Sequence, residues 1–215
     1  MQAVQIYGPF CTGTNLIVKI LKENVKNVKL IALQGSTYLW KHTIDIESLK
    51  DTVIKNPKCI FICMYKPPYH WIESIKKSSY DIHLNKKNLM GSCSMKGIEY
   101  KNLIEMYNIY YLNYKNLIEN YKNVICMNYY ELLDIDNIRK YINNKLKPFD
   151  LNLKKDDNIK EILNKPSKNH GNSVKNFSQA LNKKKILDEK LKESDIKHLL
   201  DKEVDKSIHE FFNSR

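Results

Sequence analysis

The chain carries 215 residues, 42% apolar and 28% charged, with a formal net charge of +12. That length suits one domain with its own core, expected to span residues 1–215. No apolar run is long enough for a membrane helix. The five cysteines, odd in number and without metal-type spacing, fit neither a disulfide framework nor a metal site, and a reduced, cytoplasmic setting is expected.

The first strand is expected at VQIY, residues 4–7, close enough to the start to leave no basic-then-apolar leader. A helix follows over 14–25, with Leu16, Ile17, Ile20, Leu21 and Val25 on one face. VKLIAL at 28–33 reads as a short second strand. CIFICMY at 59–65 is a continuous apolar run, the pattern of a strand buried on both faces of a parallel sheet. Pro67 and Pro68 end it, and residues 69–77 read as a helix with Pro68 in its first turn. A long helix rich in Tyr, Leu and Ile is expected over 98–121, then a fourth strand at VICMN, 124–128, followed by short helices. Residues 164–176 read as a loop. Ser194 is expected to cap one last helix that carries Ile196, Leu199, Leu200, Val204, Ile208, Phe211 and Phe212. Strands alternating with helices imply an α/β, three-layer domain with a mainly parallel central sheet.

Among the 36 basic side chains only Arg139 and Arg215 are arginine, so lysine carries the cationic chemistry. The charge is spread along the chain, without a basic stripe or a specific nucleic-acid module. It reads as a solvated surface with some attraction for anionic ligands.

The stretch YGPFCTGTN, residues 7–15, joins the first strand to the first helix. Backbone N–H groups at such a turn, with a helix amino terminus behind them, make an anion site. Gly8 and Gly13 give the tight path, and Thr12 and Thr14 add hydroxyls. A nucleoside triphosphatase needs a lysine after the second glycine and then a hydroxyl for magnesium. Here those positions hold Thr14 and Asn15, which disfavours Mg–ATP hydrolysis but not the binding of a phosphate.

KPPYHWIES, residues 66–74, directly follows the most buried strand, at the sheet edge where open α/β sheets bind ligands. It resembles the R-D-P-Y-x-W-x-x-S segment of sulfotransferases that use 3′-phosphoadenosine 5′-phosphosulfate, with Lys66 at the arginine position and Pro67 at the aspartate. The loop is similar to that family's S-G-T-[NT]-x-L, matched by Thr12, Gly13, Thr14, Asn15 and Leu16. WKHT at 40–43 resembles the W-K-H segment of several subgroups. VICMNYYELL resembles V-x-x-R-Y-E-D-L-L, departing at Asn128 and Tyr130. KNHGNSVKNF, from Lys168, loosely resembles the late R-K-G-x-x-G-x-W-x-x-x-F loop.

The resemblance implies a P-loop-like nucleotide-binding architecture. It also implies transfer of a sulfuryl group from that donor to a hydroxyl- or amine-bearing acceptor, releasing 3′,5′-adenosine bisphosphate. By this resemblance His42 is the base. Cys11, Thr12, Gly13, Thr14 and Asn15 cradle the 5′ end of the donor, and Lys66, Ser74 and Lys168 hold its 3′-phosphate. Cys11 stands where the family has a lysine or arginine, which leaves Lys41 as the expected charge on the leaving oxygen. Other expectations from the residues are a small P-loop kinase using ATP, or a degenerate nucleotide-binding protein without turnover. His70 and His170 are expected to be structural, Tyr69 and Trp71 to be packing residues, and the tyrosines of 106–114 to form a helix face.

Overall fold

The computed structural model describes residues 1–31, 39–85, 90–164, 178–192 and 195–214. Lys168 and the loop around it lie outside them, as do Ala32, Leu33, His170 and Ser194. In chain order the parallel layer begins with β1 (Gln2–Tyr7), α1 (Thr14–Asn24), β2 (Val28–Leu30), α2 (Ile46–Lys55), β3 (Ile60–Tyr65) and α3 (Pro68–Lys77). A short antiparallel unit follows: β4 (Ile82–Leu84), β5 (Cys93–Met95) and β6 (Ile98–Tyr100). Then come α4 (Leu103–Asn120), β7 (Val124–Asn128), α5 (Ile138–Leu146), α6 (Ile159–Asn164), α7 (Ser178–Lys192), α8 (Asp195–Glu203) and α9 (Lys206–Asn213).

The main sheet runs β2-β1-β3-β7 with every pairing parallel. Period-two alternation sorts its side chains onto two faces. Val4, Ile6, Ile60, Ile62, Met64 and Met127 share one apolar cluster with Leu16, Ile17, Ile20 and Leu21 of α1, Ile138 and Ile142 of α5 and Ile162 of α6. Tyr7, Phe61, Cys63, Tyr65, Val124 and Cys126 share the other with Leu49 and Val53 of α2, Trp71 and Ile75 of α3, the tyrosines of α4, and Ile208 and Phe212 of α9. Helices therefore cover both faces of a parallel sheet, as the apolar run of β3 requires: all six of its residues are buried. No described helix is long and apolar enough to cross a membrane.

Two expected elements differ, and one helix is new. The long helix begins at Leu103, not Ile98. Asn102 accepts the Glu105 amide at 2.9 Å while the Glu105 carboxylate accepts the Lys101 amide at 2.6 Å, a reciprocal cap that fixes the helix start. Residues 98–100 instead pair with β5 as a hairpin strand. The last helix is two, because Asp205 accepts the Ser207 amide at 2.8 Å and starts α9 afresh. Helix α2 was not expected at all; Asp45 caps it, accepting the Ser48 amide at 3.1 Å.

The strand order places the topological reversal between β1 and β3. The chain leaves β1 for α1 on one face, crosses to β2, and returns as β3 on the other side of β1. It then continues into α3 on the opposite face. Loops that diverge this way open a crevice at the carboxyl ends of the two strands, the usual ligand position in open α/β sheets.

Candidate functional site

Both sequence motifs meet at that crevice, one at the end of β1 and one at the end of β3. Gly8 is required where it stands: a β-carbon there would lie 2.6 Å from Thr12 Oγ1 and 2.8 Å from Met64 Cβ. Gly13 has φ +86°, and a β-carbon would meet the Tyr129 ring at 2.5 Å. Between them Cys11 also takes a left-handed φ of 63°. The turn closes on itself through the Thr12 hydroxyl, which donates to the Pro9 carbonyl at 2.7 Å. That hydroxyl is committed to the loop. No side chain caps α1, whose first residue is Thr14, so its leading N–H groups could serve an anion.

Lys66 directly follows β3 and is buried. Its ammonium donates to the Cys11 carbonyl at 3.1 Å and to Ser74 Oγ at 2.8 Å, and lies 4.7 Å from the centre of the Tyr129 ring. Ser74 in turn donates to the His70 carbonyl at 2.8 Å. Ser74 lies eight positions after Lys66, and the opening turns of α3 bring it beside the ammonium. Burial pulls the Lys66 pKa down to about 8, against the opposing effect of Cys11, with Lys77 pulling it further down. Burial raises the Cys11 thiol, although Lys66 opposes this. Its Sγ faces the Ser78 carbonyl at 3.7 Å. Cys11 therefore contributes backbone and no charge to the loop.

The third segment arrives from the connection between β2 and α2. The Gly8 amide donates to the Lys41 carbonyl at 2.9 Å, and His42 Nδ1 donates to the Gly8 carbonyl at 2.6 Å. Because a carbonyl can only accept, this bond fixes the proton on Nδ1 and leaves the Nε2 lone pair available. Phe10 stacks on the imidazole with ring centres 4.1 Å apart, and Trp40 meets it edge-on at 5.3 Å. From α4, the Tyr110 hydroxyl donates to the His42 carbonyl at 2.6 Å. Burial lowers the His42 pKa to about 4, aided by Lys41 and Lys96 and opposed by the Gly8 bond. Lys41 donates from Nζ to Asn15 Oδ1 at 2.6 Å, at the start of α1.

The structure thus brings together Cys11, Thr12, Gly13, Thr14, Asn15, Lys41, His42, Lys66 and Ser74. His70 serves the scaffold. Its Nε2 donates to Asp188 at 2.8 Å, and its Nδ1 accepts from the Tyr130 hydroxyl, which docks α7 on α3. Sequence reasoning missed Tyr129 and Lys96. Tyr129 immediately follows β7 at the same sheet edge, a position that is itself a signal.

Trp71 is a packing residue with one polar duty: its Nε1 donates to the Phe10 carbonyl at 2.9 Å and so ties α3 to the loop. Trp71→Phe keeps most of the apolar volume and orphans that buried carbonyl. The expected loss is about 1–3 kcal/mol in urea unfolding. A groove of about 430 Å³ between α2 and α4, lined by Glu47, Lys50, Leu112 and Asn116 among others, lies away from the motif loops and shares no residue with them. No family model, no curated protein and no solved structure matches this chain.

Proposed function

We propose that the protein is a sulfotransferase of P-loop-like architecture, moving a sulfuryl group from 3′-phosphoadenosine 5′-phosphosulfate to a hydroxyl or amine. The observation that supports this reading is the Lys66–Ser74 pair just past β3, whose buried lysine also bonds the Cys11 carbonyl of the Gly8–Gly13 turn. Beside the N–H groups of the loop, this pair adds a cation and a hydroxyl that a 3′-phosphate can use. The residues fit such a ligand in charge as well. Lys41 and Lys66 face the loop, and no described carboxylate is paired with either.

In this reading the N–H groups of the loop and of the first turn of α1 hold the 5′ end, and Lys66 with Ser74 holds the 3′-phosphate. Lys41, already directed at Asn15, supplies charge at the oxygen left behind. His42 Nε2 takes the proton of the acceptor hydroxyl, its tautomer set by Gly8. Positioning and preorganised charge do most of the catalysis, since the transfer needs no covalent protein intermediate. A second reading, a nucleotide-binding protein without turnover, draws on Cys11, which puts an uncharged thiol where the resembling family has a cation.

The two readings separate in one assay. Incubating the protein with the donor and a panel of hydroxyl and amine acceptors should release 3′,5′-adenosine bisphosphate in acceptor-dependent fashion. Lys41→Met should lower that rate by about 10²-fold or more, the scale for one preorganised donor at a developing anion. Cys11→Ser should change it little. Full activity in Lys41→Met removes Lys41 from the leaving-group role.

A further inference from the structure

The sequence SMKGIEY makes the hairpin between β5 and β6, with Met95 opposite Ile98 and only Lys96 and Gly97 between them. Both central residues have positive φ, 50° and 79°, the signature of a type I′ turn. Asn, Asp or Gly is favoured at the first of these positions, because an ordinary side chain is strained there. A lysine in that conformation is an outlier that local folding does not explain, and such outliers gather at functional sites.

Its side chain does not simply extend into solvent. Lys96 Nζ sits 3.7 Å from the centre of the Trp40 ring, and Trp40 is the edge-on neighbour of His42. Phe10 and Trp40 form an apolar wall against the imidazole, and Tyr80 stacks on Phe10 at 5.2 Å. Two ammonium groups, Lys41 and Lys96, flank the site, and both act electrostatically on His42. Among the described residues no carboxylate forms an ion pair with either lysine. Unbalanced like charges around a half-apolar site repel one another unless a ligand brings the opposite sign.

We propose that the acceptor bound beside His42 is anionic, a hydroxyl compound that also carries a carboxylate, sulfate or phosphate, and that Lys96 at the hairpin tip recognises its charge. This rests on the sulfotransferase reading for the word acceptor, but the binding site itself does not. Lys96 selects the ligand and takes no part in proton transfer.

Three probes share one phenol and differ in charge: 4-hydroxyphenylacetate, 4-hydroxyphenylacetamide and tyramine. Binding to the full chain, followed by tryptophan fluorescence and calorimetry at neutral pH, should rank them anion, neutral, cation. The anion is expected to bind about tenfold tighter than the amide, the scale of one charge-assisted contact. Lys96→Asn suits the type I′ turn better than lysine, so the hairpin should fold at least as well, with an unchanged or higher Tm. In that variant the anion should fall to the level of the amide. Equal binding of all three, no binding by any, or a preference that survives Lys96→Asn overturns the proposal. Turnover assays with the same probes keep the two readings apart. A charge order in binding without sulfuryl transfer removes the enzyme reading and leaves the anion site, whereas transfer without a charge order does the reverse.

Discussion

His42→Ala is expected to lower sulfuryl transfer by about 10²–10⁴-fold while leaving adenosine bisphosphate affinity nearly intact. In the proposed reading the base meets the acceptor, and the proposed nucleotide contacts lie on the loop and on α3. Basicity places the effect toward the lower end of that range. Burial holds the imidazole pKa near 4, and a weaker base gains less from each proton it accepts. The same burial sets the pH dependence. Neutral His42 is the form that donates from Nδ1 and accepts at Nε2, so turnover should show no inflection near 6.5 from this group and should fall only as pH approaches about 4.

Stability follows the same residue. The folded pKa lies below the unfolded value of about 6.5, so between these values the unfolded chain binds more protons. This contribution is complete above pH 6.5 and is lost as pH falls through 4, an effect on the order of 3 kcal/mol. Unfolding midpoints measured from pH 7 to 4 should decline less steeply in His42→Ala than in the parent chain. An undiminished turnover rate in the variant removes His42 from the chemistry.

Lys66→Ala carries the second large effect. It deletes a buried ammonium that bonds the Cys11 carbonyl and Ser74, and it removes the cation proposed for the 3′-phosphate. Affinity for 3′,5′-adenosine bisphosphate should fall by roughly 1.5–3 kcal/mol, the range for a hydrogen bond to a charged group, while AMP affinity changes little. Lys66→Arg is not a conservative control. The guanidinium is larger and forked, and the lysine fills a buried space between Tyr129 and the loop. In the parent protein the affinity difference should persist below pH 8 and weaken above it, as the Lys66 ammonium deprotonates near 8.

Much of the parallel layer is legible in the sequence because its signals are local. The apolar run of β3 and the Pro67–Pro68 stop after it appear where expected, and α3 begins at Pro68. What the sequence hides is of two kinds. Helix α2 anchors itself with only Leu49 and Val53 as buried positions, too sparse a stripe to stand out, and its start depends on the single cap at Asp45. The antiparallel unit is concealed by strands of three residues, where alternation has no length in which to show.

The site divides in the same way. The pairing of Lys66 with Ser74 is legible only through the resemblance of KPPYHWIES to the sulfotransferase segment. That His42 shares a hydrogen bond with Gly8, a partner 34 positions away, depends on the sheet order. Lys96 was missed for a different reason. Its Lys-Gly turn is a local signal, but its meaning depends on Trp40, which only the folded chain brings beneath it.

The central claim is a nucleotide site with phosphate recognition at both ends. Calorimetry of the full chain with 3′,5′-adenosine bisphosphate, AMP, and ATP with magnesium tests it in one series. The account predicts that the bisphosphate binds tightest and without magnesium, with AMP weaker by roughly the Lys66 contribution of 1.5–3 kcal/mol. Equal affinity for bisphosphate and AMP, or magnesium-dependent ATP binding that exceeds both, contradicts it.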